Sequence, residues 1–193
     1  MKTKRAILTT LLLTLFVLAF SQVQLVYETN NHLEFNGMSL NGDLNVFVAK
    51  LQKQGFTIKT TSQDLVIFNA ELIGKPCEMA VLGTKKTKTV YRVTILLPEA
   101  TNWETLKADY TQLKKQYTEK YGTGISKEIF LAPYTEGDGN EMEAIATDKL
   151  SYSTYWKSES GTIYLGIINS KVVFVAFQDK TNKIICENEK LEK

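Results

Sequence analysis

Residues 101–122 read TNWETLKADYTQLKKQYTEKYG. Trp103, Leu106, Tyr110, Leu113, Tyr117 and Tyr121 recur at steps of three or four, which places them on one face of an α-helix. Lysines and glutamate fill the opposite face. Thr101 or Asn102 offers a capping side chain at the start, and Gly122 ends the segment in the left-handed conformation. Nearly everything on either side reads as β-strand, so this helix is expected to supply the apolar stripe on which a sheet packs. The class is therefore α+β.

Toward the N-terminus, Leu40-Asn41-Gly42-Asp43 leads into a first helix. Leu44, Phe47, Val48 and Leu51 keep the i, i+3, i+4, i+7 spacing, and Gly55 closes it. Ahead of it lie a lead-in over 22–31, a short strand over 32–35 and an Asn36-Gly37 turn. After Gly55 the period becomes two. Strands are expected from Phe56 and Ile58, over 65–73, 77–82 and 89–97, with turns at Gly74-Lys75-Pro76 and across the lysine-rich residues 83–88. Pro98 ends the last of them.

Beyond residue 122, a strand is expected over 125–131, a loop over 133–140, and either a short helical turn or a poor strand over 141–146. Strands over 150–156, 162–168 and 171–177 follow, joined by turns at 158–161 and 169–170. The order helix and four strands thus occurs twice, an internal repeat in element order without side-chain identity. The expected architecture is two halves, 22–98 and 99–180, forming one antiparallel sheet covered on one face by two helices, with a C-terminal tail over 181–193. Residues 172–177, VVFVAF, are apolar on both faces, so this strand should lie centrally or beneath the tail.

Lys2, Lys4 and Arg5 precede an uncharged apolar run over 6–20, and Ala19-Phe20-Ser21 closes it with small residues two apart. This is the pattern of a signal peptide over 1–21. The run of about 15 residues is short against the ~20 that a spanning helix needs, which disfavours the alternative of an uncleaved anchor. The mature chain is then expected to be exported, periplasmic or extracellular, with no integral membrane span. Of the 23 basic and 21 acidic residues, three basic and no acidic ones lie in 1–21, which leaves 20 against 21, a net of −1. No polybasic surface is implied, and nucleic acid is not an expected partner.

The chain has two cysteines, Cys77 and Cys186. In an exported protein an even count makes their disulfide a candidate, and it would pin the tail to the first half. The alternative is a small core residue at Cys77 and a free thiol at Cys186. Neither sits in a C-x-x-C context. The single histidine, His32, has no second histidine with which to build a multi-histidine zinc site. No G-x-S-x-G elbow, P-loop or dinucleotide fingerprint occurs. No catalytic residue, metal or cofactor is expected. The acidic loop 136–143, with Asp138 and Asn140 alternating, resembles a calcium loop in composition but lacks the EF-hand spacing, and Gly with Asp/Asn is also ordinary loop chemistry.

Aromatic placement gives the one candidate binding surface. Leu150, Tyr152, Thr154 and Trp156 share a strand face, with Tyr155 opposite beside Ser151 and Ser153. Tyr164 joins Gly166 and Ile168 opposite Ile163, Leu165 and Ile167. The more apolar sets should pack under the helices, which leaves Tyr155 and Tyr164 on the uncovered face. Tyrosine offers apolar area and a hydroxyl together, which suits a protein- or glycan-binding surface. Ordinary cross-strand pairing of tyrosines is the plain alternative. Lys107, Lys114 and Lys115 read as a solvated helix face, and Lys85, Lys86 and Lys88 as residues that keep a hairpin soluble.

HLEFNGMSLNGDLNVFVAKLQKQGF over 32–56 resembles the opening of a group of small exported proteins of unassigned function from gut-dwelling Gram-negative anaerobes. The likeness continues over 103–122, in GDGNEMEAI before a strand ending Tyr155-Trp156, and in the closing strand with QDKTN. These are helix, turn and strand signatures, so the resemblance implies a fold and no site residue. The doubled helix-plus-four-strands order is also similar to β-lactamase inhibitory proteins and to small outer-membrane assembly lipoproteins, an architectural analogy. This chain lacks the lipoproteins' anchor Cys and has too few cysteines for a disulfide in each half.

Three functions are consistent with these observations. The first is an exported, non-enzymatic binding module whose partner is a protein or envelope component. The second is a carboxylate-dependent hydrolase of glycans or other envelope substrates, drawing on Glu71, Glu78, Glu128, Asp148 or Glu159. The third is a structural or chaperone-like envelope protein that adds strands to a partner.

Overall fold

The computed structural model describes residues 31–191. The signal-peptide segment 1–21 and most of the lead-in 22–31 lie outside the described residues. The chain begins with a hairpin of β1 (Glu34–Phe35) and β2 (Met38–Ser39). Asn36 and Gly37 both take positive φ at its turn, as a two-residue hairpin turn requires. Helix α1 (Leu44–Lys53) follows, capped by the Asp43 carboxylate, which accepts from the Asn45 and Val46 amides. Strands β3 (Thr57–Thr61), β4 (Leu65–Leu72), β5 (Lys75–Gly83) and β6 (Val90–Leu96) come next. The turn before β5 sits at Ile73-Gly74, both at positive φ. It lies one residue earlier than expected, so Lys75 and Pro76 are strand residues.

Helix α2 (Trp103–Tyr121) forms where the apolar stripe of residues 101–122 predicts it. The Asn102 side chain accepts from the Thr105 amide, and Gly122 ends the helix at φ +82 and ψ −171. That ψ is extended rather than left-handed helical, a region open to glycine. Strand β7 (Ile125–Phe130) leads to α3 (Glu141–Ala146), which settles that stretch as helix. Strands β8 (Leu150–Lys157), β9 (Gly161–Ile168) and β10 (Val172–Asp179) precede α4 (Lys180–Leu191).

The eight strands β3 to β10 form one antiparallel sheet in the order β3-β4-β5-β6-β10-β9-β8-β7. The apolar strand β10 is central, as its two apolar faces suggest. One face of the sheet is buried: Phe68, Met79, Val81, Val93, Val175, Leu165, Tyr152 and Trp156 belong to a single hydrophobic cluster with Leu44, Phe47 and Leu51 of α1 and Trp103, Leu106, Tyr110 and Leu113 of α2. The other face is lined mostly by half-buried and exposed residues, with the small residues Gly166 and Ala176 buried among them. Among the described residues no helix is long and apolar enough to cross a membrane.

The C-terminal stretch corrects the expectation of a tail. It is helix α4, held by polar contacts. The Asp179 carboxylate caps it through the Asn182 amide at 2.8 Å. Asn182, 2% exposed, donates through Nδ2 to the carbonyls of Leu40 and Val90. Glu189 accepts from the Lys86 and Thr87 amides in the β5–β6 turn. The lysine-rich turn is therefore an anchorage point as well as a solvated one.

Candidate interaction surface

Strand register decides which side chains meet. On the half-exposed face one row crosses all eight strands: Thr60, Ile67, Ala80, Thr94, Ala176, Tyr164, Tyr155, Ile125, each directly opposite the next. At ~4.8 Å per strand the row is about 34 Å long. Tyr155 and Tyr164 are direct cross-strand neighbours in it, with ring centroids 6.4 Å apart. Both are half-buried, and Ile125 beyond them is 56% exposed. The structure thus brings together the two tyrosines singled out from the sequence.

Phe174 belongs to the same patch and escaped the sequence reading. It stands opposite Gly166, one row from Tyr164. A Cβ on Gly166 would lie 2.9 Å from Phe174 Cε1, so the ring occupies the space that glycine leaves. The paired glycine and aromatic was the available signal.

Three cations border the tyrosine row. Lys127 lies in the row of Ser153, Gly166 and Phe174 on one side. Arg92 and Lys157 lie in the row of Gln178 and Thr162 on the other. Lys157 Nζ sits 5.3 Å from the Tyr155 ring centroid, a cation–π contact. Arg92 Nε donates to Thr94 Oγ1 at 3.0 Å. Among the described residues none of the three has a carboxylate partner. On the same face toward β5, Glu78 is paired with Lys59.

The remaining flagged residues are dispersed. Cys77 and Cys186 are both free thiols, so the candidate bridge is not formed. Asn182 and Glu189 hold the C-terminal segment to the first part of the chain in its place. Burial, and then the nearby Glu71 and Glu78, push the Cys77 thiol up to about 11. His32 Nδ1 lies 3.0 Å from Asp179 Oδ2, which also accepts from the Leu33 amide.

Three carboxylates of the acidic loop are held by other protein groups, Asp138 and Glu141 within the loop and Glu136 outside it. Asp138 accepts from the Thr135 and Asn140 amides, and these bonds hold it below the usual carboxylate range. Glu141 accepts from the Gly137 amide. Glu136 pairs with Lys107 and accepts from the Tyr152 hydroxyl. Among the described residues no group of three or more His, Cys, Asp or Glu is placed to hold a metal ion.

Of the carboxylates weighed for hydrolysis, Glu128 is bound by Lys114 at 2.6 Å and by the Tyr110 hydroxyl at 3.0 Å. Glu78 is paired with Lys59. Asp148 sits in the turn before β8 at positive φ, and Glu159 in the β8–β9 turn takes the Asn31 amide at 3.5 Å. Lys107 and Lys114 are thus paired rather than simply solvated.

A separate apolar cleft of about 320 Å³ lies beside the C-terminal part of α2, walled by Phe35, Phe56, Tyr117 and Tyr121. Its floor residues Met79 and Phe177 are already buried. Compared with known proteins, the chain matches no family model, no curated protein and no solved structure.

Proposed function

We propose that this chain is an exported, non-enzymatic interaction module that binds a protein of the cell envelope through the half-exposed face of its sheet. The observation that carries the reading is the row in which Tyr155 stands directly opposite Tyr164, with Phe174 one row away. Two tyrosines give rigid contact area and two hydroxyls at low entropic cost, the composition of binding hot spots. The face is about 34 Å long and, over five residues of strand, about 17 Å deep. That is about 580 Å², some seven-tenths of the ~800 Å² each partner contributes to an interface of standard size.

Export rests on the basic start, the short apolar run and the small residues before Gln22. Each side of residue 98 carries a long helix and four strands of the sheet, with the β1–β2 hairpin added on the first side and α3 and α4 on the second, and this shared order supports two equivalent halves joined at β6 and β10, with α1 and α2 as their paired helices. The resemblance to small exported proteins of gut anaerobes is in keeping with this reading.

The test is capture of envelope proteins by the mature chain and by a Tyr155→Ala/Tyr164→Ala double variant. The double variant should fold, since both rings are only half-buried, and should lose the partner that the wild type retains. Equal recovery of that partner by both chains would remove this face from the account.

A further inference from the structure

The row that borders the tyrosines does not end at the sheet. Lys157, Thr162 and Gln178, one cross-strand row, also form a wall of a cleft of about 380 Å³ whose opposite wall is the first turns of α4, with Lys180, Lys183 and Ile184. Ile184 is 50% exposed there. The cleft therefore opens onto the aromatic patch through Lys157, whose ammonium contacts the Tyr155 ring.

Three lysines and no carboxylate are among the residues that line this cleft, although Asp179, Glu159 and Glu187 lie close to it. Lys183 is taken by Glu187 at 2.8 Å. Asp179 is buried and already accepts from the Leu33 and Asn182 amides. Glu159, in the adjoining turn, meets the Asn31 amide at 3.5 Å. Lys157, Lys180 and Arg92 have no carboxylate partner among the described residues. Three unpaired cations thus lie along the cleft and the row that feeds it.

We propose that this cleft and the tyrosine row together receive an acidic, extended protein segment, its carboxylates at Lys157 and Lys180 and its apolar side chains over Tyr155, Tyr164 and Phe174. The proposal rests on the interaction-module reading and names the chemistry of the partner. Charge complementarity sets the sign of the occupant. The apolar half of the surface selects a peptide over a polysaccharide, because an anionic sugar chain leaves Ile125, Phe174 and Ile184 without contacts. The mature chain's net of −1 gives no general cationic field, so attraction must be local to this corner.

The probe is a fluorescein-labelled decapeptide of alternating glutamate and leucine, followed by anisotropy on the mature chain at 50 and 300 mM NaCl. A lysine–leucine decapeptide and heparin provide two further arms. Saturable binding of the acidic peptide is expected. Lys157→Glu/Lys180→Glu and the higher salt should each weaken it at least tenfold, since exposed charges are screened within about a Debye length. Tyr155→Ala/Tyr164→Ala should weaken it at both salts, and Lys115→Glu on α2 should leave it unchanged. Thermal melts followed by circular dichroism establish that each variant is folded.

Binding that depends on the tyrosines but ignores the lysines and salt would overturn the acidic segment while leaving the interaction module standing. Binding that depends on the lysines alone would overturn the joint surface and the tyrosine reading with it. No saturable binding, equal binding of the lysine peptide, or tighter binding of heparin would each overturn the proposal. So would a dimer in sedimentation that the tyrosine variant dissociates, because the face would then be occupied by a second copy.

Discussion

The side-chain amide of Asn182 in α4 donates to the carbonyl of Val90 at the start of β6, 2.9 Å away and 92 residues apart in sequence. The same nitrogen reaches the Leu40 carbonyl at 2.8 Å. One buried amide thus ties the C-terminal helix to the loop before α1 and to the middle of the sheet. Replacing Asn182 by Ala leaves two buried carbonyls without a donor, at about 2–4 kcal/mol. Urea unfolding of the variant should show that loss, and a loss below about 0.5 kcal/mol would mean that the contact is a surface one.

Glu189 supplies a second clasp with a pH signature. Burial works to raise its carboxyl, but the amides of Lys86 and Thr87 and the threonine hydroxyls outweigh it and bring it down to about 2. A depressed carboxylate stabilises the fold above its unfolded value and loses that contribution as pH falls through the folded one. Glu189→Gln should therefore lower Tm at pH 7. The gap between variant and wild type should close as pH falls from about 4.5 to about 2. A constant gap across that range would show that the charge is not what the turn recognises.

Cys77 shifts the opposite way. Its thiol is raised from 9.0 to about 11, first by burial and then by Glu71 and Glu78. The native state thus holds the proton more tightly than the unfolded chain does, so this group's contribution is constant below about pH 9 and declines toward pH 11. Cys77→Ser should flatten that alkaline decline. Because both thiols are free, a reducing agent should leave Tm of the wild type unchanged. A fall in Tm on reduction would reveal a bridge.

Trp103 anchors α2 to β8. It is 7% exposed, and its ring meets Tyr152 edge-on at 5.1 Å and Phe130 at 5.7 Å. Trp103→Ala should cost about 3–5 kcal/mol. A cost under about 1 kcal/mol would place the ring at the surface.

These anchors differ in how far the sequence exposes them. The stripe from Trp103 to Leu113 is apolar at helical spacing, so the sequence shows it. Tyr155 and Tyr164 follow from strand alternation for the same reason. Helix α4 hides because its inward residues, Asn182, Cys186 and Glu189, are mostly polar. Their spacing is helical, but polar Asn182 and Glu189 are not among the residues that an apolar-spacing rule counts as inward. Asp109 breaks the α2 stripe in the same manner, since it is buried only because Lys75 reaches it at 2.7 Å. The cationic border was also invisible. Arg92, Lys127 and Lys157 lie on three separate strands and become neighbours of one row only through register.

The interaction face is most directly tested inside the cell by a photo-crosslinking amino acid, benzoylphenylalanine, placed at Tyr164, with Val46 as the reference site. Val46 is 55% exposed on α1, remote from the tyrosine row in the fold's element order. Irradiation should give a discrete adduct from position 164 and none from position 46. Adducts from neither position, or the same adduct from both, would contradict the claim that this sheet face is where the protein meets its partner.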